Sequence, residues 1–272
     1  MIGGETMRFR TGIGRKPALE FSYEPLLFLG HPGAKGRVKV TLRNQTKMGL
    51  KGTVTAVPKD RRIAAGPRVH RFEVEPEGFA GFECDVRIDS AASTSYLPIS
   101  FRPSFAVGEG DDVEGREEIY HASCVAPGGL LAAIDPEAKF LDLQNDRLRV
   151  SISVREGGAT RIRDRVTGSM VVDGPTWDAL GPPFWPTEFA HRECEYALER
   201  GDRFVVAKIY MRSEVHRGLT LFKEYTLRSG SPLVTIQYGL VNDHPKARSF
   251  ELQTGCRRTW KRPPSTCRRG TA

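Results

Sequence analysis

At 272 residues and 30.3 kDa the chain is long enough for one large β domain or two ordinary ones, and two is the expectation. Its 28 Gly and 18 Pro are scattered between short apolar runs, which predicts many turns and few long helices and excludes a low-complexity chain. The formal charge of +8 points to an anionic partner only until the charges are located. Arg257, Arg258, Lys261, Arg262, Arg268 and Arg269 lie beyond Gly255 with no acidic residue among them, leaving 35 basic against 33 acidic side chains elsewhere. A body so nearly neutral excludes a phosphate-tracking surface, so no nucleic acid is expected as partner.

Cys84, Cys124, Cys194, Cys256 and Cys267 are far apart and form no C-x-x-C pair, so neither a zinc site nor a disulfide framework is indicated, and reduced, mostly buried thiols are expected. The first residues lack the basic start and apolar core of a signal peptide, and no apolar run reaches the ~18 residues of a membrane helix. The sequence therefore reads as soluble and cytoplasmic, with no membrane partner.

In chain order, Ala18 to Tyr23 predicts a first strand and Pro25 to Leu29 an edge, followed by the turn Gly30-His-Pro-Gly33. Val38, Val40 and Leu42 alternate with Lys39, Thr41 and Arg43, and Leu50 to Val57 starts the next strand. Further strands are expected at Arg71 to Val74, Gly81 to Ile88 and Tyr96 to Arg102, a spacing that fits a two-sheet sandwich. The acidic, Gly-rich stretch Gly108 to Glu118 suits an exposed loop, and Pro127-Gly-Gly129 a boundary.

The second half opens with the clearest pattern in the chain. Leu148, Val150, Ile152 and Val154 alternate with Arg149, Ser151 and Ser153, the signature of a strand with one wet face. Gly157-Gly158 breaks the run, and Asp164 to Gly168 turns it into Ser169 to Val172. Phe204 to Tyr210, Leu219 to Leu227 and Leu233 to Val241 are three more candidates, the last with Val234, Ile236, Tyr238 and Leu240 on one face. The fold class is therefore all-β, divided as 16–126, 127–255 and a basic disordered tail at 256–272, where lost alternation suggests a truncated or frame-shifted end.

The run Gly36 to Asn44, followed by Phe72 to Val86 with its Pro-Glu-Gly turn, resembles the immunoglobulin-like accessory modules found beside glycoside hydrolase catalytic domains. Leu143 to Val150, Gly157 to Gly168 and Phe222 to Tyr238 resemble the antiparallel supersandwich of the galactose mutarotase-like class, also found in alpha-mannosidases. A complete supersandwich of that class is longer. The resemblance thus implies an incomplete copy in a carbohydrate-active protein, a saccharide as partner, and a catalytic domain elsewhere. The class uses a His and a Glu from later strands; no His follows residue 245, so no catalytic residue is carried over.

One stretch stands out chemically. Gly174 to Glu193 reads as a long loop with two Trp, two Phe and four Pro. Proline rigidity would hold Trp177, Phe184 and Trp185 at low entropic cost, and flat rings suit the apolar faces of pyranoses. Asp178, Glu188 and His191 could exchange hydrogen bonds with sugar hydroxyls. The alternative fate for these aromatics is packing against the sandwich core. Asp178 and Glu188, ten residues apart, neither establish nor forbid the pair of acids ~5 to 10 Å apart that glycosidic cleavage needs. His31, His70, His121, His216 and His244 sit singly, without metal-ligand spacing, and are expected on the solvated surface. No nucleophile elbow or phosphate-binding loop occurs, so neither cofactor nor metal is expected.

These readings leave a non-catalytic β-sandwich portion of a carbohydrate-active protein. A glycoside hydrolase or sugar epimerase fragment, and a structural or interaction module without ligand, are the alternatives.

Overall fold

Period-two alternation leaves every second side chain on one face of each strand, and those faces are buried by stacking sheets on one another. The computed structural model describes residues 5–6, 17–108, 110, 112–135, 140–172, 176–181, 188–189, 192–243, 245 and 251–256. Among these every regular element is a strand and no helix occurs. None is therefore long and apolar enough to cross a membrane as a helix.

The first sandwich pairs a sheet ordered Leu19–Glu24, Lys35–Asn44, Phe79–Ile88, Ile63–Gly66 with one ordered Phe28–Gly30, Glu118–Cys124, Ser95–Val107, Leu50–Pro58, Val69–Val74. Val38, Val40 and Leu42 from one sheet meet Val54, Leu97, Ile99 and Phe101 from the other, all wholly buried. Phe28–Gly30 lies at a sheet edge, as Pro25 to Leu29 predicts, but it runs parallel to Glu118–Cys124. The short strand Ile63–Gly66, which the sequence pattern does not announce, closes the other sheet.

In the second sandwich the sheet Leu130–Asp135, Phe140–Asn145, Leu148–Ser153, Ala159–Asp164, Met170–Val172 is a meander, with Glu5–Thr6 added in parallel on Leu130–Asp135. It faces a second meander, Glu195–Arg200, Phe204–Arg212, Leu219–Arg228, Val234–Asn242. The buried face of Leu148–Ser153, namely Leu148, Val150 and Ile152, meets Val205, Ala207, Ile209, Leu221 and Leu227. Asn145 staples the two layers. Its Nδ2 donates to the carbonyls of Arg228 at 2.7 Å and Ser231 at 2.8 Å, while its Oδ1 accepts from the Arg147 and Leu148 amides.

A third, smaller cluster of Leu27, Tyr96, Val125, Leu131 and Ala133 joins the two sandwiches. Around it, Arg165 donates to the carbonyl of Gly30 at 2.6 Å, to Ser123 at 3.1 Å, and to Gln144. Burial lowers the Arg165 guanidinium to about 10.

Two sequence expectations change. The stretch read as one loop contains the strand Thr176–Gly181, paired antiparallel with Glu251–Cys256; backbone pairing there overrides a Pro- and aromatic-rich composition. His70 and His121 are buried, not solvated. His70 stacks on Phe82 at 3.9 Å in a strand whose alternation points it inward, and His121 lies in Glu118–Cys124, whose two faces are both buried. Cys84, Cys124 and Cys194 are free and buried, as the wide spacing predicts. The basic tail beyond Cys256 lies outside the described residues.

Candidate functional site

The residues singled out in the stretch 174–193 part company in the structure. Asp178 lies in Thr176–Gly181 with its side chain fully buried, in contact with the equally buried Lys223. Glu188 sits beside the second meander. Phe184, Trp185 and His191 lie outside the described residues, and Trp177 is placed only by its backbone, opposite Gly255.

Lys223 carries a sequence signal that reading the strand for periodicity alone passes over. Leu219, Leu221, Tyr225 and Leu227 all point into the core, and Lys223 occupies the middle of that row. An ammonium in an apolar register needs a counter-charge at hand, and Asp178 supplies it. The Tyr238 phenol acts electrostatically on the same carboxyl group, and its ring centroid lies 5.9 Å from the Lys223 Nζ. Burial raises the Asp178 carboxyl above its ordinary range, against the opposing pull of Lys223. Burial likewise pushes the Tyr238 phenol up to about 12 and the nearby Cys194 thiol up to about 11. Next to this pair, the Thr160 hydroxyl donates to the Tyr225 oxygen at 2.7 Å, and the Tyr225 hydroxyl donates to the Gly158 carbonyl at 3.2 Å.

Glu188 does different work. Its Oε1 accepts from the Ser213 hydroxyl at 2.6 Å, and its Oε2 from the amides of Glu214 at 2.8 Å and Val215 at 3.1 Å. Ser213 Oγ accepts in turn from the His216 amide at 2.7 Å. The carboxylate therefore folds the turn that follows Phe204–Arg212. A second tie, the ion pair of Arg192 with Glu214, holds the same turn from outside.

That turn forms one wall of an open cleft of about 700 Å³. Tyr210 and Arg212 line it from Phe204–Arg212, Glu195 from the neighbouring strand, Ser213, Glu214 and Arg217 from the turn, and Asp243 from beyond Val234–Asn242. Arg212 pairs with Glu195 at 3.1 Å, and Tyr210 packs at a tilt on Phe222. The cleft thus combines one aromatic ring with acids and guanidiniums that accept and donate hydrogen bonds. Sequence reasoning missed it, because its residues are contributed by the wet faces and ends of four separate elements. Among the described residues no group of three or more His, Cys, Asp or Glu is arranged to hold a metal ion.

No family model matches the chain, and no curated protein does. Solved structures do. A protein of unknown function from Porphyromonas gingivalis W83 is 12% identical, with a TM-score of 0.33, over 83% of this chain and 99% of that one. A Salmonella enterica SafA pilin in complex with the SafB chaperone gives 10% identity and 0.28, over 80% and 95%. A family 123 glycoside hydrolase from Clostridium perfringens gives 7% and 0.25, over 39% of this chain and 27% of that one. The layered all-β arrangement rests on the chain's own strands and sheets.

Proposed function

We propose that the chain is a non-catalytic, carbohydrate-contacting β-sandwich unit, divided near residue 127, whose saccharide surface is the cleft of the second sandwich together with the stretch 174–193. The observation that carries this reading is the Glu188 carboxylate. It belongs to the aromatic-rich stretch, and it builds the turn that walls the cleft. An aromatic ring beside mixed acids and guanidiniums suits pyranose faces and their hydroxyls. Trp177, Phe184, Trp185 and His191 belong to the same proposed surface. Asp178 supports it from within the core.

The non-catalytic part of the reading rests on the two acids nearest the stretch, each engaged in holding structure: Asp178 by Lys223, Glu188 by the turn. The experiment is saccharide binding by purified Tyr210→Ala, Arg212→Ala and Trp185→Ala variants. Binding lost at an unchanged melting temperature supports the cleft. Binding retained in all three contradicts it.

A second reading, a protein-interaction module, is favoured by the edge strand Val234–Asn242, which exposes Tyr238 and Val241 next to the exposed Leu233. Addition of a partner strand there would use backbone groups that no described strand occupies.

A further inference from the structure

We propose that Lys223 and Asp178 condense spontaneously into an intramolecular amide, a side-chain cross-link between Leu219–Arg228 and Thr176–Gly181. The Nζ and Oδ2 atoms touch, and both side chains are wholly shielded from solvent. The two residues come from different sheets, so the bond would tie Leu219–Arg228 of the meander to the two-stranded sheet of Thr176–Gly181 and Glu251–Cys256. Around them lie Ile209, Tyr225, Cys194 and the Gly158 backbone, so bulk water is kept from the reacting atoms.

Such surroundings favour the uncharged carboxylic acid over the carboxylate. The elevated carboxyl of Asp178 is in keeping with that shift. The reaction needs no oxidant and no co-reactant. The ammonium first passes one proton to the carboxylate. The nitrogen lone pair then attacks the carboxyl carbon, forming the C–N bond, and the C–OH bond breaks. A second nitrogen proton travels to the departing oxygen, which leaves as water. One N–H remains on the amide, and two buried charges have been replaced by one neutral group. Tyr238, whose ring centroid lies 5.9 Å from the Lys223 Nζ, is the phenol near enough to the pair to relay that second proton.

Intact-mass spectrometry of the unmodified full chain tests this directly, since the cross-linked protein is lighter than its sequence by one water. Trypsin cleaves after Arg165, Arg192, Arg217 and Arg228 but not at an acylated Lys223, so the segments 166–192 and 218–228 should appear as one branched peptide. Lys223→Arg and Asp178→Ala should restore the full mass and abolish that peptide; the wild-type measurement stands even where a variant fails to fold. Tyr238→Phe should slow accumulation of the branched species. A folded wild-type chain with the full sequence mass overturns the proposal. So does loss of water without the branched peptide, which would mark a succinimide elsewhere.

Discussion

Tyr96 of the first sandwich donates its hydroxyl to Asp142 of the second at 2.8 Å, across the junction between the two cores. Asp142 also accepts from Arg149 Nε at 2.7 Å, and Gln144 bridges to Tyr96 at 3.1 Å. Burial raises the Tyr96 phenol well above its ordinary range, so it stays a donor at any physiological pH. This network, with Arg165 reaching to Gly30 and Ser123, makes the junction a packed interface.

Tyr96→Phe keeps the ring in the junction and removes the hydroxyl alone. A buried carboxylate that loses one of its donors costs about 1 to 3 kcal/mol. Urea unfolding should show that loss with the slope unchanged. An unaltered midpoint would mean the hydrogen bond contributes nothing to the junction.

Gly157 has φ of +58°, and a Cβ there would lie 2.2 Å from the Phe189 carbonyl oxygen. Its amide also donates to the Arg192 carbonyl at 3.1 Å, so it holds the segment that carries Glu188. Gly157→Ala should displace that segment, destabilise the fold by about 1 to 3 kcal/mol, and loosen the cleft turn. Amide exchange at Glu214 and Val215 reads the second effect. Protection equal to wild type at both amides would contradict it.

His121 sets an acid limit on stability. Burial alone lowers its imidazole from 6.5 to about 4, so the unfolded chain binds a proton more readily than the folded one. The contribution of the neutral ring is complete above about 6.5 and is lost progressively as pH falls toward 4, by up to about 3 kcal/mol. A melting temperature followed from pH 7.5 to 4 should therefore drop, and His121→Gln should flatten part of that drop. Parallel profiles for the two proteins would remove His121 from the account.

What could be read in advance followed from alternation. Lys35–Asn44, Leu148–Ser153 and Leu219–Arg228 each bury every second residue, so their existence and facing were plain in the order of side chains. Thr176–Gly181 was not, because both of its faces are buried around Asp178, Ala179 and Leu180 and no period appears. His70 sits in an alternating strand, and following the register through it, instead of judging it as polar, would have placed it inside; His121 lies in Glu118–Cys124, which is buried on both faces and shows no period. Lys223 is the same lesson with a charge. The cleft was hidden for another reason: residues as distant as Glu195 and Asp243 meet only because the meander Glu195–Arg200, Phe204–Arg212, Leu219–Arg228, Val234–Asn242 brings their ends together.

The saccharide surface proposed for the second sandwich is tested most directly by a glycan-array screen of the folded full chain, with Arg212→Ala alongside. Binding to at least one saccharide class is expected, with its loss in the variant at an unchanged melting temperature. A folded wild-type chain that binds no saccharide on the array contradicts it.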